Sequence, residues 1–436
     1  MSAPRLKRFV EEIFREAVAA VDAERLVRTA LRFERRTLWV RGIPHRLAPG
    51  SRLVLLALGK AAIPMARGAR AVLGDRPDRC VVVPKAQGEG PEELSDCVVI
   101  PGAHPVPDGR SVLAGQALLE AVRDLGPEDL VLVLLSGGGS ALAEVPRAPL
   151  TLGDIVATTD RLLRAGADIW LLNAVRRRLS ELKGGGLARR AAPARVVNLI
   201  LSDVLGNPLP VIASGPSVAP EAIVADLPQR LQSLGVWHDL PDRVRTLLVG
   251  PEPVQDRFDH VVQTVVLGDV RAFVEAAAEG CRARGLPVVV CGTRYTGEAR
   301  EFGRFWATLA RSVREAHQPW MPPVALLAGG ELTVTVRGSG RGGRNTEMAL
   351  AAALALDGCE GVTVASLASD GDDGTSEAAG AVVDGRTAEL LRARGANPLR
   401  ALLENDSASA LGLVDALVVT GLTGTNVNDL YLAIVE

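Results

Sequence analysis

The fold class is decided by the stretch Asp129-Leu130-Val131-Leu132-Val133-Leu134-Leu135-Ser136-Gly137-Gly138-Gly139-Ser140. Its first part is a short, uninterrupted apolar run, which is typical of a parallel strand buried on both faces. The run ends abruptly in a turn rich in serine and glycine, and helical patterns follow over residues 151–164 and 169–182. A strand, a glycine-rich turn and helices in this order predict an α/β architecture.

The same alternation of apolar strands and helices continues along the chain on both sides. The other predicted strands are short aliphatic runs bounded by turn-forming residues. They are 52–58, 80–83, 97–100, 195–201, 264–267, 288–291, 324–327, 332–336, 362–367, 417–420 and, as a final edge strand, 430–435. We therefore expect two α/β domains with mostly parallel sheets, an N-terminal one over residues 1–240 and a C-terminal one over 241–436. The boundary is expected in the proline- and charge-rich segment 220–257.

Composition limits the class of protein. A chain of 436 residues is too long for one ordinary core, and 47% apolar with 23% charged residues describes a globular protein. The net charge of −2 gives no support for binding nucleic acid or a membrane surface, and 3% aromatic residues argue against a stacking platform for single strands. No apolar run approaches the roughly 18 residues that a membrane span needs, so a cytoplasmic location is expected.

The five cysteines are scattered and form no C-x-x-C pair. Each is expected to be a small buried hydrophobe in a reducing cytoplasm. Only four of the 49 basic residues are lysines, namely Lys7, Lys60, Lys85 and Lys183. Where arginine has replaced lysine almost everywhere, a remaining lysine is a candidate for a role that needs its compact charge.

A second glycine-rich loop reads Gly338-Ser339-Gly340-Arg341-Gly342-Gly343-Arg344-Asn345-Thr346-Glu347. It follows the alternating run 332–336 and opens a helix predicted over 346–356. Free glycine backbone, a helix N-terminus and two arginines predict an anion site. Gly338, Gly340 and Gly343 also satisfy G-x-G-x-x-G, but the preceding run alternates like a half-exposed strand and the next acid, Asp370, comes too late. A Walker P-loop is absent as well.

Polar and glycine-rich turns follow most of the apolar strands, where ligands bind in open α/β sheets. They are 59–60, 136–140, 202–203, 329–331, 369–374 and 420–426. Any one of these is explained by turn chemistry alone, but six together favour a polar cleft between the domains.

Residue types divide the chemistry of that cleft. The five residues Ser136, Gly137, Gly138, Gly139 and Ser140 are suited to close approach by phosphate. Lys60 and Arg344 are candidates for neutralising a transferring phosphoryl group. Four carboxylates are candidates either for Mg²⁺ or for orienting an attacking hydroxyl. These are Asp203, Asp370, Asp373 and Glu331, with helix capping or turn formation as the alternative for Asp370 and Asp373.

Three further residues are candidates for contacts with a substrate. Arg176 and Lys183 lie seven residues apart, so both side chains can face the same side of a helix. They could bind a substrate carboxylate there, and a solvated helix face explains them equally well. His104 lies among prolines, where a structural role competes with a role in the site.

The ordered set of motifs resembles the class II glycerate kinases, the glycerate 2-kinase family whose C-terminal region is called MOFRL and which has also been labelled hydroxypyruvate reductase. The matching motifs are 59–62, 101–105, 136–140, 183–185, 202–204, 330–331, 340–347, 369–371 and 423–427. The resemblance spans nearly the whole chain. Two motifs depart from the family pattern, because Thr375-Ser376-Glu377 replaces Pro-Thr-Asp and Leu422 stands where the family has proline.

The resemblance implies two α/β domains, the first Rossmann-like, that enclose the active site. It implies transfer of the γ-phosphoryl group of ATP, with Mg²⁺, to D-glycerate, giving 2-phosphoglycerate. The family's catalytic lysine and arginine carry over to Lys60 and to Arg344, with its neighbour Arg341 as the alternative. The rival hypotheses are an NAD(P)H-dependent hydroxypyruvate reductase and a non-catalytic nucleotide or sugar-acid sensor. Homo-oligomerisation is left open.

The hypothesis assigns each site residue a role. The catalytic residues are Lys60, Arg344, Asp203 and Asp370. Nucleotide contacts are assigned to residues 136–140 and to Gly340, Gly342, Gly343 and Asn345. Substrate contacts are assigned to Arg176, Lys183 and His104, and Mg²⁺ contacts to Asp370, Asp373 and Glu331.

Overall fold

A computed structural model describes residues 3–86, 94–220, 226–250 and 258–436. The helices are α1 (Ala3–Ala20), α2 (Ala23–Ala30), α3 (Ala62–Leu73), α4 (Gly109–Ala121), α5 (Gly139–Leu142), α6 (Leu152–Arg164), α7 (Ile169–Leu179), α8 (Gly186–Ala191), α9 (Leu227–Ser233), α10 (Asp242–Val249), α11 (Val270–Ala283), α12 (Ala299–Ala316), α13 (Arg344–Ala355), α14 (Thr387–Ala393), α15 (Pro398–Leu403) and α16 (Ser407–Gly412). The strands are β1 (Leu31–Glu34), β2 (Thr37–Val40), β3 (Ile43–Arg46), β4 (Leu53–Leu58), β5 (Arg79–Val83), β6 (Val98–Val99), β7 (Leu130–Leu135), β8 (Arg195–Leu201), β9 (Val261–Gly268), β10 (Val288–Tyr295), β11 (Val324–Gly330), β12 (Val362–Ala368), β13 (Gly380–Asp384), β14 (Leu417–Val418) and β15 (Asp429–Val435).

The chain forms two compact units, each with its own sheet. The central unit is Ala23–Leu267, and the terminal unit joins Met1–Asp22 to Gly268–Glu436. The predicted boundary near residue 240 therefore falls inside the central unit, because β9 completes that unit's sheet. Parts of the predicted linker, 221–225 and 251–257, lie outside the described residues. None of the described helices is both long and apolar enough to cross a membrane.

The sheet of the central unit has the strand order β6-β5-β4-β7-β8-β9. The pairings of β4 with β5 and β7, of β5 with β6 and of β7 with β8 are all parallel. All residues of β4 and β7 are buried, as their aliphatic sequences predict for strands covered by helices on both faces. The predicted α/β class and parallel sheet are confirmed for this unit.

The register of these strands positions the site. Leu58 of β4 pairs with Leu135 of β7, and Leu135 pairs with Ile200 of β8. Because the strands run in the same direction and end level, the turns that follow them meet at one edge of the sheet. A separate three-stranded antiparallel sheet of β1, β2 and β3 was not predicted.

The sheet of the terminal unit is mixed, so the prediction of a mostly parallel sheet is wrong there. Its order is β10-β11-β15-β12-β13-β14. Only β10 and β11 pair in parallel, while the four other pairings are antiparallel. The last strand is not an edge strand, since β15 lies between β11 and β12 and is fully buried. The predicted strand 332–336 is also wrong, because that run makes only one isolated bridge, from Thr333 to Glu298.

Helices cover the terminal sheet and close its core. Trp306 of α12, Met348 of α13 and Tyr431 of β15 belong to one buried cluster. The N-terminal helix α1 packs on α11, where the rings of Phe14 and Phe273 meet edge-on with centroids 6.0 Å apart. This contact explains why the first residues of the chain belong to the terminal unit.

Two cysteines differ from the prediction that all five are free. Cys80 and Cys97 form a disulfide across 17 positions of sequence. Cys80 lies in β5 and Cys97 directly precedes β6, so the parallel pairing of these strands brings the two residues together. Cys281, Cys291 and Cys359 are free, and burial raises the pKa of each thiol.

Candidate active site

The turns after β4 and β7 are tied together by hydrogen bonds. The backbone N–H of Lys60 donates to the carbonyl oxygen of Gly137 at 2.8 Å, and the N–H of Ala61 donates to Ser136 Oγ at 3.0 Å. Gly59 has a φ of +132°, and a Cβ there would lie 2.2 Å from Ser136 Oγ. Only glycine fits this close approach. The lysine that follows it is exposed beside the glycine turn.

His104 joins this group. A Cβ added to Gly138 would lie 3.2 Å from Lys60 Cγ and 3.3 Å from His104 Cδ2, so both side chains flank the same glycine. Burial lowers the pKa of His104, and the charges of Lys60 and Lys85 lower it further. The imidazole is therefore neutral near pH 7, and it can act there as a hydrogen-bonding group but not as a cation.

Asp203 lies against the neighbouring glycine. A Cβ on Gly137 would fall 1.6 Å from Asp203 Oδ2 and 2.2 Å from its Cγ, so the carboxylate occupies the space that a side chain at 137 would need. The structure thus brings together three predicted residues, Lys60, His104 and Asp203, around Gly137 and Gly138. An ammonium, a neutral imidazole and a carboxylate at one sheet edge can bind a phosphoryl group and accept a hydroxyl proton.

A second group of polar side chains extends from Ser140. Ser140 Oγ is 2.7 Å from Ser214 Oγ, which donates to Asn173 Oδ1 at 2.8 Å. Ser214 has a φ of 60°, a left-handed conformation that strains a residue with a side chain. Asn173 is buried, and its Nδ2 has no hydrogen-bond partner among the described residues. The sequence prediction missed Asn173 and Ser214; a polar residue on the apolar face of a helix is the signal that points to Asn173.

Lys183 is placed differently from its prediction. Its side chain is 2% exposed and forms an ion pair with Glu144, whose other oxygen accepts from Ser180 Oγ at 2.5 Å. Burial lowers the pKa of Lys183, against the charge of Glu144, which raises it. The ammonium is therefore held inside the protein and is not presented to a ligand. Glu144 was not predicted, because sequence alone does not show that a glutamate is buried.

Arg176 is half-buried near the same carboxylate. Burial lowers its pKa, while the negative charge of Glu144 raises it. Lys183, Arg176 and Glu144 together carry one net positive charge in a poorly solvated place. Such a charge is best balanced by an anion, so Arg176 remains a candidate for contact with a substrate carboxylate.

In the terminal unit, Arg344 is held by two carboxylates. Its Nε donates to Asp429 Oδ2 at 2.6 Å, its Nη2 to Asp429 Oδ1 at 3.0 Å and its Nη1 to Glu331 Oε1 at 3.0 Å. Burial lowers the pKa of Arg344, but the charges and hydrogen bonds of Asp429 and Glu331 outweigh burial and raise it. Arg341 is exposed on the loop.

The loop 338–347 differs from the predicted anion site, in which backbone N–H groups would be available to a ligand. Most of its N–H groups donate to acceptors of the protein itself. The pairs are Gly338 to Asn405 Oδ1, Gly340 to the carbonyl of Glu404, Arg341 to Asp406 Oδ1, Gly342 to Thr375 Oγ1, Gly343 to Thr346 Oγ1 and Asn345 to Asp373 Oδ1. The glycines are needed for close packing, since a Cβ on Gly340 would lie 2.4 Å from Asp406 Cβ. Nucleotide contacts by Gly340, Gly342, Gly343 and Asn345 stay a prediction that cannot rest on these N–H groups.

The predicted Mg²⁺ ligands do not form a cluster. Asp373 is buried, and its two oxygens accept from the N–H groups of Asn345 and Thr346 at the start of α13, so it caps that helix. Burial raises the pKa of Asp373, against these hydrogen bonds, which lower it. Glu331 pairs with Arg344, and Asp370 accepts from the N–H of Asp372 at 3.2 Å. In the described ranges, no three His, Cys, Asp or Glu side chains lie close enough to hold a metal ion.

The turn after β12 and the segment before β15 hold each other. Thr423 Oγ1 donates to the carbonyl of Ser369 at 2.6 Å, and the N–H of Val427 donates to Ser369 Oγ at 2.8 Å. The N–H of Thr423 also donates to the carbonyl of Asp370 at 3.2 Å. The last predicted loop therefore supports the turn that carries Asp370.

Comparison with known proteins identifies the class. Residues 9–249 match the family described as a domain of unknown function, DUF4147, and residues 324–429 match the MOFRL family. The chain is 40% identical to the D-glycerate 2-kinase of Thermotoga maritima over 99% of its own length and 98% of the relative's. It is 36% identical to the glycerate 2-kinase of Pyrococcus horikoshii, over 96% of this chain and 95% of that one.

A solved structure agrees with the sequence matches. The crystal structure of the Thermotoga maritima glycerate kinase has a TM-score of 0.87 at 38% identity, covering 99% of this chain and 100% of that chain. The chain therefore belongs to the class II glycerate kinase family, as its motifs predicted.

Proposed function

We propose that this protein transfers the γ-phosphoryl group of ATP to D-glycerate, giving 2-phosphoglycerate and ADP. The observation that carries the proposal is the convergence of Lys60, His104 and Asp203 on Gly137 and Gly138 at the carboxyl edge of the parallel sheet. The choice of D-glycerate as the substrate rests on the names of the relatives, which are glycerate kinases. A buried strand pair holds both turns, so the group is positioned before a ligand binds.

The site chemistry suits phosphoryl transfer. The substrate hydroxyl attacks the γ-phosphorus, the bond to the β–γ bridging oxygen breaks, and the hydroxyl proton passes to a base. Asp203 is the candidate base, and the exposed ammonium of Lys60 is the candidate for balancing charge on the phosphoryl oxygens. Neutral His104 can donate one hydrogen bond in the same place without adding charge.

Arg176 is proposed to bind the carboxylate of the substrate. Its half-buried guanidinium shares the Glu144 charge with Lys183 and leaves one positive charge to be balanced. A monocarboxylate such as glycerate would balance it. Lys183 is reassigned from a substrate contact to a structural ion pair that holds Glu144.

Mg²⁺ is proposed to arrive with the nucleotide. The described carboxylates do not assemble a metal cage, and Asp373 is occupied by a helix N-terminus. Mg²⁺ commonly keeps several waters and binds mainly through substrate phosphates, which needs no such cage. When bound, the ion would withdraw charge from the phosphates.

Two assays test the proposal. ADP formation is measured with D-glycerate, Mg²⁺ and ATP, and NADH oxidation is followed separately with hydroxypyruvate. ADP formation without NADH oxidation supports the kinase, and the reverse result supports the reductase. No turnover in either assay supports the non-catalytic sensor. Phosphorus NMR of the product then separates the 2-phosphate from the 3-phosphate.

Lys60 is tested by substitution. Lys60→Ala should lower kcat by about 10³-fold, because one charge stabilising the transferring group is removed. Lys85→Ala is the matched control, since Lys85 also lies near His104 but has no assigned contact with phosphate. Retained turnover in Lys60→Ala with unchanged melting would remove Lys60 from the mechanism.

The expectations for location and assembly stay predictions. Cytoplasmic location is one of them, and the Cys80–Cys97 disulfide is of a kind rare in reducing compartments. Titration of free thiols in protein isolated from cells under alkylating conditions tests whether this disulfide is present in the cell. Sedimentation tests whether the chain forms a homo-oligomer.

A further inference from the structure

Asp429 begins the central strand of the terminal sheet. It pairs across to Gly330 of β11 on one side and to Ala368 of β12 on the other. Its side chain is fully buried, at 0% exposure, and Tyr431 Oη lies 3.4 Å from its Oδ2. Because both neighbouring strands fix its backbone, the carboxylate cannot follow a moving partner.

Arg344 is bound to this carboxylate through two parallel hydrogen bonds, from Nε and Nη2. A two-pronged contact of this kind fixes the plane of the guanidinium as well as its position. The remaining edge of the guanidinium carries Nη1, which donates to Glu331. The contact with Asp429 thus sets the orientation of Arg344 from the buried side, and the edge that carries Nη1 faces Glu331, directly after β11.

The two acids differ in how firmly they can hold the arginine. Asp429 is buried, whereas the side chain of Glu331 is 47% exposed. A buried charge left without its partner is costly, while breaking an exposed ion pair costs much less. Any anion that replaces one of them will therefore replace Glu331 and leave Asp429 in place.

We propose that Asp429 is a positioning residue that orients Arg344, and that Glu331 is an exchangeable counter-ion that gives way to phosphate oxygens of the nucleotide. This inference rests on the proposed function in that the ligand is the phosphate chain of ATP or ADP. Glu331 then competes with phosphate for Nη1, which is the opposite of the metal-binding role that the sequence predicted for it.

The first test measures binding without turnover. Inorganic pyrophosphate is titrated into the wild type, Glu331→Gln and Glu301→Gln by calorimetry, with and without Mg²⁺. Glu301 is the matched control, because it forms another exposed ion pair, with Arg304 at 2.7 Å, on α12. Glu331→Gln should bind pyrophosphate about 3- to 5-fold more tightly, since an exposed pair of up to about 1 kcal/mol no longer has to be broken.

The opposite result overturns the role of Glu331. If Glu331 holds Mg²⁺, Glu331→Gln should bind magnesium pyrophosphate more weakly and require more Mg²⁺ for half-maximal binding. Equal binding by wild type and Glu331→Gln would also overturn the proposal, because a competing counter-ion must affect affinity.

The second test concerns Asp429. Asp429→Asn keeps the shape of the side chain but places an amide group where Arg344 needs an acceptor. Arg344→Lys keeps the positive charge but cannot form the two parallel hydrogen bonds. A double-mutant cycle of these two changes on pyrophosphate affinity should be strongly non-additive, with the double variant no weaker than Asp429→Asn by more than about 2-fold. Additive losses would overturn the positioning role, since they would mean that the two residues act independently.

A third measurement covers the case in which Asp429→Asn does not fold. In the wild-type protein, the Nε–H signal of Arg344, assigned by its loss in Arg344→Lys, should exchange slowly with water and persist when pyrophosphate is added. Fast exchange in the free protein would contradict a fixed contact with Asp429. A wild type that binds pyrophosphate in this way but shows no kinase turnover would refute the proposed function and leave the phosphate site standing.

Discussion

Gly137→Ala is expected to inactivate the protein without unfolding it. The added Cβ would lie 1.6 Å from Asp203 Oδ2. Restoring an ordinary contact distance of about 3.5 Å moves the carboxylate by roughly 2 Å. A misplacement of about 1 Å at a reacting group can cost about 100-fold in rate, so kcat/KM should fall by at least about 100-fold, or about 2.7 kcal/mol of transition-state stabilisation.

The expected loss of stability is smaller than the loss of activity. The atoms in the way are the end of a flexible side chain, which can rotate aside, and Gly137 has no left-handed φ. The unfolding free energy should therefore fall by less than about 2 kcal/mol. Urea denaturation measures stability, and ADP release with D-glycerate and ATP measures activity.

Two comparisons decide whether Asp203 is the cause. Gly109→Ala is the matched control, since a Cβ there meets nothing within 4 Å, and both measurements should match the wild type. In an Asp203→Ala background the added methyl group has room, so Gly137→Ala should cause no further loss of activity. A Gly137→Ala protein that turns over within about 3-fold of the wild type, or a further loss in the Asp203→Ala background, would refute the reasoning.

Three other outcomes are expected. Asp373→Asn should lower the unfolding free energy by about 2–4 kcal/mol, because an amide cannot accept all four hydrogen bonds that the carboxylate accepts from Asn345 and Thr346. Asp129→Asn should lower stability at pH 7 and flatten its decline in acid: burial raises the pKa of Asp129, but hydrogen bonds from Arg52 and Gly126 outweigh burial and lower it. A carboxyl with a lowered folded-state pKa stabilises the protein above its unfolded pKa, near 4, and that contribution is lost as the pH falls through the folded value. Lys183→Met should cost about 3–5 kcal/mol by removing the ammonium that forms the buried ion pair with Glu144, and adding Glu144→Gln should restore most of it.

Denaturation by urea checks all three, with pH as the second variable for Asp129. A change below about 0.5 kcal/mol in Asp373→Asn would contradict its role as the cap of α13. Parallel stability curves of wild type and Asp129→Asn between pH 3 and 7 would contradict the lowered pKa. A double variant at 144 and 183 that is as unstable as Lys183→Met alone would contradict the loss of this ion pair as the cause.

In the central unit, the convergence of the strand-end turns followed from the sequence because it depends on local rules. Aliphatic runs such as 52–58 predict buried parallel strands, and parallel strands that end level place their turns at one edge. The placement of Asp203 against Gly137 and of Lys60 against the neighbouring Gly138 needs nothing more than this. The structure also explains why positions 59 and 137 are glycine, because Ser136 and the Asp203 carboxylate approach them too closely for a Cβ.

The arrangement of the terminal unit did not follow, because its strand order departs from the order along the chain and the last strand, β15, inserts between β11 and β12. The run 430–435 has the composition of any buried strand, and nothing local shows that it lies between β11 and β12. Asp429 therefore looks like the polar start of an edge strand, although it is the buried partner of Arg344. The same limit hid Glu144, because its burial depends on Lys183, which lies 39 positions later in the chain.

The pairing of the loop 338–347 with the segment 404–407 matters for anyone who would move or redesign it. Glu404, Asn405 and Asp406 accept the N–H groups of Gly340, Gly338 and Arg341, and Ser407 Oγ donates to Thr346 Oγ1 at 2.9 Å. The first residues of the ten-residue stretch thus depend on a segment encoded some sixty positions away, and the later ones depend on Asp373 and Thr375. A graft of the glycine stretch alone into another scaffold would carry its donors but leave their acceptors behind. Exchange between relatives should succeed only when the segments that supply these acceptors are moved with the loop.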